Sequence, residues 1–134
     1  MWNKRLVTLN QAVILKRLGF HEQVNHYGWG ENKNPFCCSG VCSDWNECNN
    51  FISLPTVDEA LEWLHAKCKL NYVSTYSSDA NKEHQITICY DDGSVVFCYS
   101  PNKYAVKRKA ISTLIRYYEN QNKKSNKSSK RKSR

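Results

Sequence analysis

Cys37, Cys38, Cys42 and Cys48, with His21 and His26 upstream, carry the donor types that a tetrahedral zinc ion takes. A metal there would also hold an irregular stretch in place, because its binding free energy becomes folding free energy. Yet two cysteines separated by two residues, the knuckle spacing, occur nowhere in this stretch, and free thiols in a reducing compartment account for the same residues. The expectation is no obligatory cofactor, with zinc as the alternative. Cys68 with His65 or His84 has the composition of a nucleophile and its base. However, His65 and Cys68 stand one turn apart on an amphipathic helix, and no third group orients the base. No glycine-rich phosphate loop is present, and the carboxylates fall at helix caps and turns. The chain is therefore expected not to be an enzyme.

Binding chemistry is better represented. Residues 103–134 hold twelve Lys or Arg against one acid, Glu119; in a chain of net charge +8 this end carries +11 and residues 1–102 carry −3. Lys103, Lys107, Arg108, Lys109 and Arg116 fall on a helix, and Lys123, Lys124, Lys127, Lys130, Arg131, Lys132 and Arg134 on a tail. Closely spaced cations of this kind displace counterions from DNA or RNA phosphates without reading sequence. A charge run that only keeps the chain soluble has the same composition. A separate set of aromatic residues, Tyr27, Trp29, Phe36 and Trp45, would anchor a protein partner if the rings do not fold back on the core.

The elements that must position these residues are marked by caps and periodicity. Thr8 to Gln11 and Thr56 to Glu59 are capping boxes, each opening an amphipathic helix, the first closed by Gly19. Residues 70–76 read as a strand. Ile86 to Tyr90 and Val95 to Tyr99 flank Asp91-Asp92-Gly93-Ser94, which predicts a hairpin on a two-residue turn. In that register Tyr90, Ile88 and Ile86 face Val95, Phe97 and Tyr99 beneath the helices. Ser100 or Asn102 caps a third helix with a buried stripe of Val106, Ala110, Ile111, Leu114, Ile115 and Tyr118. Lys109 and Arg116 lie on its opposite side.

At 134 residues this is expected to be one α+β domain over 1–120: a small antiparallel three-stranded sheet with one face covered by two or three helices. Residues 21–50 read as a Cys-rich loop insert and 121–134 as a basic disordered tail. No run of apolar residues is long enough to span a bilayer, no export signal is evident and the seven cysteines are odd in number, so a cytoplasmic location and no membrane partner are expected.

Val7-Thr8 with Gln11-Ala12, Leu15-Lys16 and Leu18-Gly19-Phe20, then Pro55-Thr56 with Ala60-Leu61 and Trp63-Leu64, resemble a family of small uncharacterised proteins from phages, prophages and mobile elements of gut Bacteroidetes. The resemblance covers Val7 to Phe20 and Leu54 to Tyr118; the segment from Pro35 to Cys48 and the basic tail depart from it. It implies a phage or mobile-element product, in a bacterial host cell or associated with a virion, and carries over no activity; with the aromatic set, the expected function is that of a non-enzymatic accessory protein that binds a host or viral protein. The order helix, three strands, helix over 54–120 also resembles the layout of a double-stranded RNA-binding domain, with Lys103, Lys107, Arg108 and Lys109 where that family grips phosphates. This implies the alternative, a nucleic-acid-binding protein using the last helix and tail. Asp58, Glu59 and Glu62 depart from that pattern by making the preceding helix acidic, and His84 stands too close to the next strand.

Overall fold

The structure, a computed structural model, describes residues 3–29, 38–48, 51–78 and 83–132, with backbone alone at 29, 38–41 and 124–132. Among these residues are three α-helices and two three-stranded antiparallel sheets, an α+β fold. Where a single domain over 1–120 is expected, the chain divides into two compact units, Met1–Glu62 and Trp63–Arg134, with the boundary inside a helix.

The N-terminal unit opens on α1 (Leu9–Arg17). Its predicted capping box is present: Thr8 Oγ1 accepts from the Gln11 amide at 3.1 Å, and Gln11 Oε1 accepts from the Thr8 amide at 3.1 Å. Gly19 adopts φ +98°, so the Gly19 and Phe20 amides can fold back onto the Lys16 and Leu15 carbonyls and end the helix. The stretch expected as a loop contains β1 (Val24–Trp29), β2 (Cys38–Ser43) and a 3-10 turn (Trp45–Glu47), followed by β3 (Phe51–Ser53) in the sheet order β2-β1-β3. Asn46 is what ties it down. Buried, it donates to the Phe20 carbonyl at 2.7 Å and accepts from the Ser53 amide at 2.8 Å. Lys16 Nζ adds bonds to the Phe51 and Cys48 carbonyls at 2.9 and 3.3 Å. These side-chain bonds supply the order for which a metal is one explanation at the level of sequence. Leu6, Leu15, Phe20, Val24 and Leu54 are fully buried. α2 (Val57–Cys68) begins here with the second capping box, Thr56 with Glu59.

The C-terminal unit comprises the rest of α2, then β4 (Tyr72–Ser78), β5 (Glu83–Cys89), β6 (Val95–Ser100) and α3 (Lys103–Lys132), with sheet order β4-β5-β6. α3 packs on β5 and β6, burying Ile86, Ile88, Val106, Ile111, Leu114 and Ile115.

The hairpin of this unit differs from expectation. The β5–β6 register pairs Cys89 with Val95, Ile88 with Val96 and Ile86 with Cys98, one residue away from the predicted pairing. Only Gly93 of the turn is left-handed, at φ +89°, where a two-residue primed turn needs two such residues. The result is a three-residue loop closed by Gly93 N–H to the Tyr90 carbonyl and Tyr90 N–H to the Ser94 carbonyl. A slip of one residue reverses a strand's faces, so Val95, Phe97 and Tyr99 point away from α3 while Cys98 and Ser100 are buried. The backbone of α3 runs on to Lys132, through residues expected as the tail. No glycine or proline follows Pro101, and Lys, Arg and Gln have nearly the helix propensity of Leu, so nothing in the sequence stops α3 at Asn120.

Candidate nucleic-acid interface

α3 is held at both ends of its apolar stripe. Asn102 Oδ1 accepts from the Tyr104 and Ala105 amides at 2.9 and 3.0 Å, the N-cap. Further along, Tyr118 meets Trp63 with ring centroids 6.3 Å apart, and Tyr117 stacks on Tyr90 at 4.3 Å. Burying Ile111 and Leu114 completely contributes about 1.5–3 kcal/mol each. The helix is thereby fixed in rotation, and its charged side with it.

Lys109, Arg116 and Lys123 are exposed and spaced by seven residues. Seven residues are two turns to within about 20°, so the three side chains form one row, opposite the buried stripe. At about 1.5 Å per residue the row is roughly 21 Å long, with cations about 10 Å apart. Thr113 Oγ1 closes on the Lys109 carbonyl at 2.9 Å, and Lys109 Nζ, the first cation of the row, bonds the Tyr99 carbonyl at the end of β6 at 2.9 Å. Lys103 lies 5.0 Å above the Tyr104 ring, at the N-terminal turn and away from the row. Lys107 and Arg108 are half-buried and engaged in contacts of their own. Lys124, Lys127, Lys130, Arg131 and Lys132 lie on the helical backbone with side chains not described, and Arg134 lies outside the described residues.

The aromatic set expected as a protein anchor is placed differently. Tyr27 stacks on Trp45 at 4.1 Å, and Phe51 closes edge-on against both at 5.1 and 5.7 Å. Trp45 Nε1 donates to the Val24 carbonyl at 3.1 Å. These rings are half-buried and spent on one another. Trp29 contributes its backbone to β1, and Phe36 lies outside the described residues. A different set, absent from the sequence expectations, is exposed on the sheet of the C-terminal unit: Tyr72, Tyr76, Phe97 and Tyr99, at 47, 66, 53 and 48 % of full exposure. The signal was the turn type, since it alone decides which face of β6 carries Phe97 and Tyr99.

Of the zinc candidates, Cys42 and Cys48 are exposed free thiols, Cys38 is described by its β2 backbone alone and Cys37 lies outside the described residues. His21 Nδ1 pairs with Asp44 Oδ2 at 2.9 Å. No group of three or more His, Cys, Asp or Glu converges among the described residues. Cys68, the sequence candidate for a nucleophile, is buried with its thiol on the Leu114 carbonyl at 3.7 Å. Burial pushes its pKa up to about 11, so at neutral pH it is a thiol rather than a thiolate.

No family model, curated protein or solved structure matches this chain. No helix among the described residues is long and apolar enough to cross a membrane.

Proposed function

We propose that this protein binds nucleic acid through the solvent-facing side of α3, by charge rather than by base sequence. The observation that carries this reading is the row Lys109, Arg116 and Lys123 on a helix whose thirty residues contain one acid, Glu119. Repeated cations on a rigid rod favour a polyanion, because each phosphate contact releases condensed counterions. An anionic bilayer is the poorer fit: an interfacial helix must offer lipid its apolar face, and that face of α3 is buried on the sheet. A protein partner taken by α3 would need apolar anchors beside the charges, and the exposed row has none. On the resemblance to phage and mobile-element proteins, the ligand is host or element nucleic acid in a bacterial cell.

The test is binding to DNA and RNA over a salt series, comparing the intact chain with the triple variant Lys109→Gln/Arg116→Gln/Lys123→Gln. Affinity should fall steeply with salt, and the log–log slope should shrink by about 0.7–0.9 for each phosphate contact removed. Binding that the triple variant leaves intact contradicts the reading.

A further inference from the structure

We propose that β4 pairs antiparallel with β4 of a second copy of this chain, joining two C-terminal units through one six-stranded sheet. This is independent of nucleic-acid binding by α3. β4 stands at one edge of its sheet and β6 at the other, and an unpaired edge is a template for another strand. The direction of the backbone groups can be followed across the ladder. Tyr90 N–H reaches the Ser94 carbonyl on the β6 side, and the Cys89 carbonyl takes the Asn71 amide on the β4 side. These groups alternate in direction along a strand, so Cys89, Thr87, Gln85 and Glu83 turn theirs towards their partners Tyr72, Ser74, Tyr76 and Ser78. The amides and carbonyls of Val73, Thr75 and Ser77 are left pointing out of the edge, and no loop or helix among the described residues bonds to them.

The two edges differ in how they are closed. By the same alternation Val95, Phe97 and Tyr99 turn their backbone groups out of the β6 edge. There Lys109 Nζ takes the Tyr99 carbonyl at 2.9 Å, and Pro101 follows with no N–H to offer. A lysine and a proline are devices that keep an edge from adding a strand. β4 has neither: Tyr72–Ser78 is paired without a bulge and contains no charge, proline or glycine. Tyr72, Ser74, Thr75, Tyr76 and Ser77 are exposed.

The occupant follows from the pattern of outward groups, which is symmetric about Thr75. A two-fold axis at that residue sets Thr75 of one copy against Thr75 of the other and Val73 against Ser77, each as a doubly hydrogen-bonded pair. A threonine pair at the centre is favourable, each tyrosine falls opposite a serine, and no like charges meet. A foreign strand would be chosen by charged side chains along the edge, and Tyr72–Ser78 carry none. The axis runs perpendicular to the sheet, so both α3 helices lie on one side of it. Growth stops at two copies, because the edges left over are the β6 edges that Lys109 covers.

The experiment is sedimentation velocity of the full chain over a concentration series without nucleic acid, with the variants Thr75→Pro, Thr75→Lys and Phe97→Lys and circular dichroism to confirm folding. The intact chain should sediment as a dimer at high concentration and dissociate on dilution. Thr75→Pro removes an outward N–H from each copy and leaves the bonds to β5 in place, so it should weaken the dimer by about tenfold or more. Thr75→Lys sets two cations opposite each other and should weaken it by about fivefold; it decides the matter if the proline variant does not fold. Phe97→Lys, on the face of the sheet rather than its β4 edge, should change nothing. A chain still monomeric at about 1 mM would overturn the inference. So would a dimer indifferent to both substitutions at Thr75, or one that Phe97→Lys disperses, which would place the contact on the ring-bearing face.

Discussion

The two halves of the molecule spend the same residue type in opposite ways. In the N-terminal unit Tyr27, Trp45 and Phe51 turn in on each other and on the Val24 carbonyl; in the C-terminal unit Tyr72, Tyr76, Phe97 and Tyr99 turn out. The difference comes from what closes each sheet. A sheet of short strands, one only three residues long, has little regular pairing to stabilise it, so aromatic packing and the buried Asn46 hold it together. The sheet of β4, β5 and β6 is paired over six or seven residues and packed by α3 on one face. It can leave its other face bare. A ring on the first sheet is thus a stability element, and a ring on the second is available for contact.

Substitutions sharpen this contrast, beginning with the deepest. Asn46→Ala strands the Phe20 carbonyl and the Ser53 amide in a buried site. It should cost about 3 kcal/mol in denaturant unfolding, and a cost within error of zero would mean that the insert is not organised by Asn46. Trp45→Ala removes a stack and an indole hydrogen bond from a half-buried position, with an expected loss of about 2–3 kcal/mol by the same measurement.

The C-terminal unit should respond to alkali. The folded Cys68 pKa is raised to about 11 from 9.0, so the folded state holds the proton longer than the unfolded one. Stability is then full below about pH 9 and falls as pH rises towards 11. At about 1.4 kcal/mol per pKa unit the loss is at most about 2–3 kcal/mol, read as a falling Tm that Cys68→Ala largely flattens. Smallest of all, Tyr76→Ser and Phe97→Ser should move stability by no more than about 0.5 kcal/mol. A larger drop at either would place those rings in the same structural role as Trp45.

Local chemistry was legible where it acts through neighbours in the chain. Thr8 with Gln11, Thr56 with Glu59, Gly19 and Asn102 all do what their spacing implies, because a cap needs only the next turn. What escaped was decided at a distance. β1 and β2 show no alternation in His26-Tyr27-Gly28 or Cys38-Ser39-Gly40, and the segment is held by pairing with β3 and by Asn46, whose partners Ser53 and Phe20 lie seven and twenty-six residues away. The outward rings escaped for a narrower reason: Asp92-Gly93 fits two turns that differ by one residue, and the side chain of Asp92, accepting from Ser94 N and Oγ at 2.8 and 2.6 Å, serves the longer one. The cationic row was half visible in Lys109 and Arg116; Lys123 joins it because the helix does not stop at Asn120.

Amide chemical-shift mapping of the intact chain during titration with oligouridine tests the division of labour between the two units most directly. The account predicts that the largest shifts fall around Lys109, Arg116 and Lys123, while Tyr27, Trp45 and Phe51 stay where they were. Shifts concentrated on the N-terminal aromatic cluster, with α3 unmoved, would contradict it.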